Sequence, residues 1–541
     1  MGIHICHYLH KKKLIKNGAK NSIYYAFGWN LGMYRSQIQL KLKKGSEMRD
    51  IWSNLPVPME FKVYLFNVSN PKEITKGEKP IINEVGPFFY DEWKVKLDLE
   101  DREEDDTVEY SQRTTWIFNP GKSNGLTGNE VLTVPHLLIL GIAMTTAREK
   151  PNMISLVGKA IDSIFKKPET IFVQAKAHDI MFGGLPVDCT VKDFAGAAVC
   201  GVLKESPDLI SDGEDRYRVS LFGHKNGTYI ADRLRVKRGK KNIKQLGEVI
   251  EFKGETAQTV WPEGSICNEF NGTDSTIFHP FLYEEEDVVS FTPDICRSIS
   301  ISAHGQISSC YNGIKANHYT ADFGDPSTDP DLQCFCEAED KCLKKGLYDM
   351  FKCLGIPLVG SLPHFYQADE SYLEQVIGLS PAQKHQIDVD LEPTTGTPMS
   401  ARKRLQFSMF IFPLEKVKTM KNIATCLMPL FWIEEGITLG DEFLDQIRLI
   451  FTVKKVVIFI CFIFFSFNCR GVKWTTMLVG MGLGGAAAGM EYKRRQAEAK
   501  MTVTRVTPQA GSRTDSGTEK KWPLNVNTLQ AAQVPPSLDR D

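Results

Sequence analysis

Charge of one sign is the first thing this chain lacks. Its 65 Lys and Arg are offset by 66 Asp and Glu, so no basic surplus exists to neutralise a phosphate backbone, and nucleic acid is not expected as a partner. Long apolar runs are also missing before Val456, which excludes a multi-span membrane protein as a description of the whole chain. No collagen-like glycine period and no internal repeat occur. Hydrophobic residues at 42% and charged residues at 24% match ordinary globular usage, so a large folded body remains. For 541 residues, the soft prior of ~150 per domain allows three or four domains, or fewer if the body is β-rich.

Catalytic and metal-binding spacings are equally scarce. The body's histidines, at 136, 178, 224, 279, 304, 318, 364 and 385, form no H-E-x-x-H or other ligand spacing. No cofactor and no metal is expected. Gly121-Lys-Ser123-Asn-Gly125 matches G-x-S-x-G, but a nucleophile elbow needs a strand before the serine and a helix after it. Asn119-Pro120 precedes this serine and Leu126-Thr-Gly-Asn-Glu130 follows, which reads as an exposed turn. Gly480-Met-Gly482-Leu-Gly-Gly485 matches a dinucleotide fingerprint, yet only a polar tail follows where a βαβ unit is required. The same glycines give Gly480-xxx-Gly484 and Gly485-xxx-Gly489, a small-residue spacing that lets membrane helices approach closely.

What the chain has is an apolar end. Val456–Phe467 is strongly hydrophobic but 12 residues long; Asn468, Arg470 and Lys473 interrupt it, and Trp474–Met490 adds 17 weakly apolar residues. A span needs ~20 residues, ~17 at the least, so a membrane helix is expected within 451–490 with open borders. Lys493, Arg494 and Arg495 follow and place the polar tail 491–541 in the cytoplasm, its composition reading as disordered. Residues 41–450 are then the body outside the cytoplasm. Residues 1–40 are atypical for such a topology: His10-Lys11-Lys12-Lys13 is basic, but no apolar segment of ~7–15 residues follows.

Two features agree with an extracytoplasmic body. Glycosylation acceptors occur at Asn67-Val-Ser69, Asn226-Gly-Thr228 and Asn271-Gly-Thr273. Of 13 cysteines, six lie in one block: Cys267, Cys296, Cys334, Cys336, Cys342 and Cys353. Such an even-numbered block favours disulfides over zinc, because the C-x2-4-C knuckle is missing. Cys189, Cys200 and Cys310 stay unassigned.

The body reads mostly as strands. Tyr217, Val219 and Leu221 alternate with polar neighbours, and Asn226-Gly227 follows as a hairpin signal. Leu405, Phe407, Met409 and Ile411 alternate likewise, and Phe61–Val68 is a third candidate. Between Pro135 and Phe182 the period changes. Ile154, Val157, Ile161, Ile164 and Phe165 recur at helical spacing behind Pro151, Pro168 breaks the pattern, and Ile171–Met181 resumes it. Several short helices inserted in a β-rich body are expected there. Lys150, Lys159, Lys166 and Lys167 cluster around this insert. They can form a cationic mouth for the polar head of an amphipathic ligand, or simply a solvated helix face.

Several strings together resemble the scavenger receptor class B family: Glu84-Val-Gly-Pro-Phe-Phe-Tyr90, Ser290-Phe-Thr-Pro-Asp-Ile-Cys-Arg-Ser298, Cys334-Phe-Cys336, Ser361-Leu-Pro-His-Phe365 and Asp390-Leu-Glu-Pro-Thr-Thr-Gly-Thr-Pro398. Arg402-Lys-Arg-Leu-Gln406 and Leu430-Phe-Trp-Ile-Glu-Glu-Gly436 continue the match, which covers roughly residues 27–457. Leu42-Lys-Lys-Gly-Ser-Glu-Met48, Lys176-Ala-His-Asp-Ile-Met-Phe182 and Tyr311-Asn-Gly-Ile-Lys315 are most similar to an insect sensory-neuron branch of it. The resemblance implies an α+β ectodomain, a large antiparallel β-barrel-like core with an apical helical bundle and an internal hydrophobic tunnel, held between membrane anchors. It implies the disulfides Cys267–Cys334, Cys296–Cys353 and Cys336–Cys342, and puts Lys166 and Lys167 near the tunnel entrance. Against the family pattern, the helix expected before Phe27-Gly-Trp29 is missing, and 458–472 reads as an insertion.

The function implied is a non-enzymatic receptor at the plasma membrane of sensory neuron cilia. It would bind lipophilic, fatty-acid-derived pheromones and pass them to an odorant receptor complex. A scavenger or lysosomal sorting receptor for lipoproteins or a partner protein is the alternative, separable by tissue expression. An esterase built on Ser123 would need a His and an acid beside it.

Overall fold

The computed structural model describes residues 40–449 except positions 312, 339 and 446, with a few isolated positions as far as 493. The chain divides into two units, Met1–Leu449 and Ile450–Asp541, and the described residues belong almost entirely to the first. The readings made on residues 1–39, on the span within 451–490, on the 458–472 insertion and on the tail therefore lie outside the described residues. Among the described residues no helix is long and apolar enough to cross a membrane.

The body is built on antiparallel strands. β1 (Met59–Val68), β2 (Ile82–Arg102) and β3 (Thr107–Phe118) form a meander. β4 (Val131–Pro135) and β5 (Phe172–Lys176) pair with each other, and β6 (Leu185–Asp188), β7 (Leu209–Ser211) and β8 (Arg216–Val219) make a separate small sheet. The chain then returns to the large sheet through β9 (Tyr229–Lys237), β10 (Val249–Phe252), β11 (Val288–Thr292), β12 (Arg297–Tyr311) and β13 (Ile314–Ala321). A short hairpin, β14 (Leu347–Asp349) and β15 (Leu358–Ser361), leans on β17, and β16 (Ile387–Glu392), β17 (Thr397–Ile411) and β18 (Cys426–Thr438) complete it. The strand order is β10-β9-β3-β2-β1-β18-β17-β16-β13-β12-β11.

The two edges of that order do not stay open. Thr273 bridges Glu248 beside β10 and Ser290 in β11; the Val249 N–H donates to Gly272 O at 2.9 Å, and the Thr273 N–H donates to Val289 O at 3.0 Å. The sheet is thus a nearly closed barrel. Gly272 is needed at the seam: its φ is +82°, and a Cβ there would stand 2.0 Å from Val289 O.

Three helices sit between β4 and β7: α1 (Leu137–Glu149), α2 (Ile154–Ile164) and α3 (Phe194–Leu203). A 3-10 turn over Pro151–Met153 leads into α2, as the proline predicts. Its buried face carries Val157, Ala160, Ile161 and Ile164, and Gly158 lets it press against the chain, since a Cβ there would meet Lys416 O at 2.3 Å. Ala160 and Ile164 pack with Ala195, Cys200 and Leu203 of α3.

Three local expectations need correcting. Ile171–Met181 does not resume a helix along its length: Phe172–Lys176 is β5, paired with β4, and only a short turn from Ala177 into the π-turn over Asp179–Gly183 is helical. Its apolar residues suit either period, and pairing with β4 decided the matter. Asn226-Gly227 does not close a hairpin, because β8 and β9 lie in different sheets. The Asn226 side chain instead binds the Trp116 backbone, accepting from its N–H at 2.8 Å, so long-range contact replaced the local turn. The third is Ser123, whose turn is exposed while its side chain is fully buried.

Candidate functional site

In an antiparallel ladder, directly opposed residues point to the same face. Phe61 of β1 opposes Tyr90 of β2 and Glu435 of β18; Glu435 opposes Lys403 of β17; Tyr90 opposes Phe118 of β3, and Glu92 opposes Trp116. These side chains therefore share one face. It is the inner one, because from it Lys96 of β2 reaches Thr276 and Asp274 beside the Thr273 seam, across β3 and β9.

At one level this inner face is aromatic. Phe61 meets Phe222 at 5.2 Å, Tyr90 meets Phe182 at 4.6 Å, and Trp116 lies 6.0 Å from Phe182. Phe222 reaches Phe431 at 6.0 Å, and Phe431 stacks on Phe407 at 4.8 Å. Two residues on from Tyr90 the face turns polar. Glu92, Lys94 and Lys96 succeed one another along β2 at the period of a strand. Lys94 Nζ pairs with Glu435 at 2.8 Å and lies 3.6 Å from Glu92. Lys96 Nζ donates to Thr276 Oγ1 at 2.9 Å and lies 3.6 Å from Asp274, beneath the rings of Trp52 and Tyr110.

This interior shifts the charges it holds. Burial pushes the Glu92 carboxyl up to about 8. Burial also disfavours ionised Glu435, but Lys94 and Lys403 overcome this and hold it down to about 2. Lys403 is pulled below its ordinary value, chiefly by desolvation. Lys94 and Glu435 keep 20% and 22% of their side-chain surface accessible, so neither is wholly enclosed by packed protein.

The lysines singled out in the sequence lie elsewhere and do not form one cluster. Lys150 caps the C-terminus of α1, Lys159 lies on the exposed face of α2, and Lys166 and Lys167 follow its C-terminus. The rise of α2 alone puts roughly 15 Å between its two ends. Lys166 and Lys167 are both left-handed, with φ of +57° and +56°. The Lys167 N–H donates to Asp162 O at 2.7 Å, closing the helix. Two exposed cations stand where the helix dipole favours them; Lys166 lies 3.5 Å from Asp188.

A profile of the CD36 family matches residues 21–479. The chain belongs to the CD36 family. It is 52% identical to Sensory neuron membrane protein 1 of Apis mellifera over 94% of both chains. The protein of the same name from Ostrinia furnacalis is 40% identical over 95% of this chain and 96% of its own, and that from Manduca sexta 38% over 95% and 96%. The resemblance read from the motifs is therefore upheld.

This CD36-family body carries four disulfides among its described residues. Cys267–Cys334, Cys296–Cys353 and Cys336–Cys342 are the pairs the resemblance implied, and Cys189–Cys200, left unassigned in the sequence, is the fourth. Pairing consumes every thiol of the zinc alternative. The Cys310 side chain lies outside the described residues. Ser123 is no nucleophile: its Oγ donates to Asn119 O at 2.8 Å and accepts from the Phe89 N–H at 3.0 Å. Of the acceptor asparagines, Asn226 and Asn271 are exposed, whereas Asn67 sits half-buried in β1 and accepts from the Thr133 N–H at 2.9 Å. His136 is structural: it accepts from the Ile139 N–H at the start of α1 and is pushed down to about 4 by burial.

Sequence reasoning missed the inward charged row. The alternation of Glu92, Lys94 and Lys96 with Trp93, Val95 and Leu97 was present, but a half-polar strand is ordinarily read with its charges facing water.

Proposed function

We propose that this chain is a membrane receptor of the scavenger class B type that takes lipophilic, fatty-acid-derived ligands, pheromones among them, into its barrel and passes them to an odorant receptor complex in sensory neurons. The observation that carries this reading is full-length likeness to Sensory neuron membrane protein 1 of several insects. The ring-lined interior supports it: transfer of an alkyl chain from water is favourable by ~0.8 kcal/mol per CH2, so chain length sets the affinity. Four disulfides support an extracellular body, with a span within 451–490 and a cytoplasmic tail. Lys166 and Lys167 meet the polar head at the entrance, and Lys150 and Lys159 add longer-range attraction. Asn67, Asn226 and Asn271 carry glycans. No chemistry is catalysed.

The test is binding of a fluorescent fatty-acid derivative and of a fluorescent hydrocarbon to the full chain in lipid nanodiscs. The Lys166→Ala/Lys167→Ala variant should weaken the first more than the second. A wild-type chain that binds neither probe would overturn the receptor reading, and equal effects on both would return the two lysines to an ordinary solvated surface.

A further inference from the structure

The inner face of the barrel is not balanced in charge. Three lysines, Lys94, Lys96 and Lys403, are held deep in the fold with two ionised carboxylates, Glu435 and Asp274. Glu435 is committed to Lys94 at 2.8 Å. Asp274 lies 3.6 Å from Lys96 and accepts from the Tyr110 hydroxyl at 2.7 Å. The remaining carboxyl, Glu92, is kept neutral by burial. Asp294, the other acid that acts on Lys94 and Lys403, stands 81% exposed and faces Lys225. Lys403 is thus left over. It opposes Glu435 in the β17–β18 register, yet has no hydrogen-bonded or ion-paired partner among the described residues. Its side chain is partly accessible but largely desolvated, and a desolvated cation without a partner is costly and seldom retained without a use.

The surroundings of Lys403 indicate what completes it. Along β17 the same face continues through Leu405 and Phe407, and Phe407 joins the ring cluster through Phe431. A partly accessible cation therefore stands at the end of an apolar wall on the same strand face. This pattern fits an amphiphile with one negative charge at its end.

We propose that Lys403 is a head-group site inside the barrel, donating from Nζ to the carboxylate of a long-chain lipid whose alkyl chain lies along Leu405, Phe407, Phe431 and Phe61. The site rests on the receptor reading above and deepens it, because it assigns the ligand's charged end to an interior partner once it has passed the entrance lysines. It also gives the barrel a preference for carboxylates over neutral lipids of equal length, since a charge-assisted hydrogen bond is the difference between them.

Binding of oleate and of oleyl alcohol to the full chain in nanodiscs tests this. Lys403→Met removes the charge and keeps an apolar stem; it should weaken oleate by roughly tenfold or more while leaving oleyl alcohol within about twofold. Lys403→Arg keeps the charge and should keep the preference, which also guards against a misfolded methionine variant. Equal weakening of both lipids by Lys403→Met, no change in either, or loss of the preference in Lys403→Arg would overturn the site while the receptor reading stands. If the wild-type chain binds neither lipid, both fall together.

Discussion

Replacing Glu92 by Gln should make the protein more stable, and increasingly so as the pH rises. Glu92 is 1% exposed. Its Oε1 accepts from Trp116 Nε1 at 3.0 Å, while Oε2 is buried without a hydrogen-bond partner. The groups facing it are Lys94 on its own strand, Trp116 on β3, and Glu435 on β18 with Lys403 beyond. Burial, opposed by Lys94 and aided by Glu435, pushes its pKa from 4.5 up to about 8. Between those values the native protein holds a proton that the unfolded chain has released. The native state then binds more protons, and stability falls as pH rises through this window. At ~1.4 kcal/mol per pH unit, the loss by pH 7 is on the order of 3 kcal/mol. Glutamine keeps the acceptor for Trp116 and cannot ionise, so the loss disappears. Thermal midpoints of wild type and Glu92→Gln, measured at one scan rate across pH 4 to 9, should coincide at the acid end, diverge above 4.5 and run parallel again above about 8. Parallel profiles throughout, or a variant less stable at pH 7, would refute the argument that Glu92 is protonated and the interior therefore short of negative charge.

Ser123→Ala should cost ~1–3 kcal/mol of stability, because the Phe89 N–H loses its buried acceptor; a drop in any hydrolytic activity without a drop in stability would reverse that assignment. Among the disulfides, loss should scale with the loop closed: ~4 kcal/mol for the pair 67 residues apart, Cys267–Cys334, against ~2 for Cys336–Cys342, 6 apart. Denaturant midpoints of the two double-alanine variants check the order, and an inverted ranking would show that the unfolded state is not what these bonds constrain. Alkylation of the native protein should spare Cys426, whose thiol is buried and pushed up to about 12; rapid labelling before unfolding would contradict its burial.

The strands were legible where one face is apolar: Phe61–Val68 and Leu405–Ile411 both fall in barrel strands, and α2 announced itself through Pro151 and its buried stripe. The helix α3 was not. Its sequence, FAGAAVCGVL, is apolar on all sides, and Phe194 and Val202 remain 81% and 72% exposed, so no period marks it. Lys166 and Lys167 could be singled out as charges, but consecutive left-handed lysines have no sequence signature, since glycine or asparagine ordinarily fills such positions. The interior charges were the hardest. Nothing local distinguishes an inward Lys94 from an outward Lys62 on a neighbouring strand; only the register of four strands does.

That register also fixes the order of events during synthesis. β1 lies between β2 and β18, so the first strand of the barrel pairs with the last, and Lys62 finds Glu434 372 residues further along. One of the two edges of β1 thus has no partner until nearly the whole body has left the ribosome. Loop closure over such a distance is slow and leaves a strand edge open to other chains. The body should therefore assemble late and as one cooperative unit. A fragment ending before Cys426 should be a client for chaperones and degradation rather than a smaller working barrel.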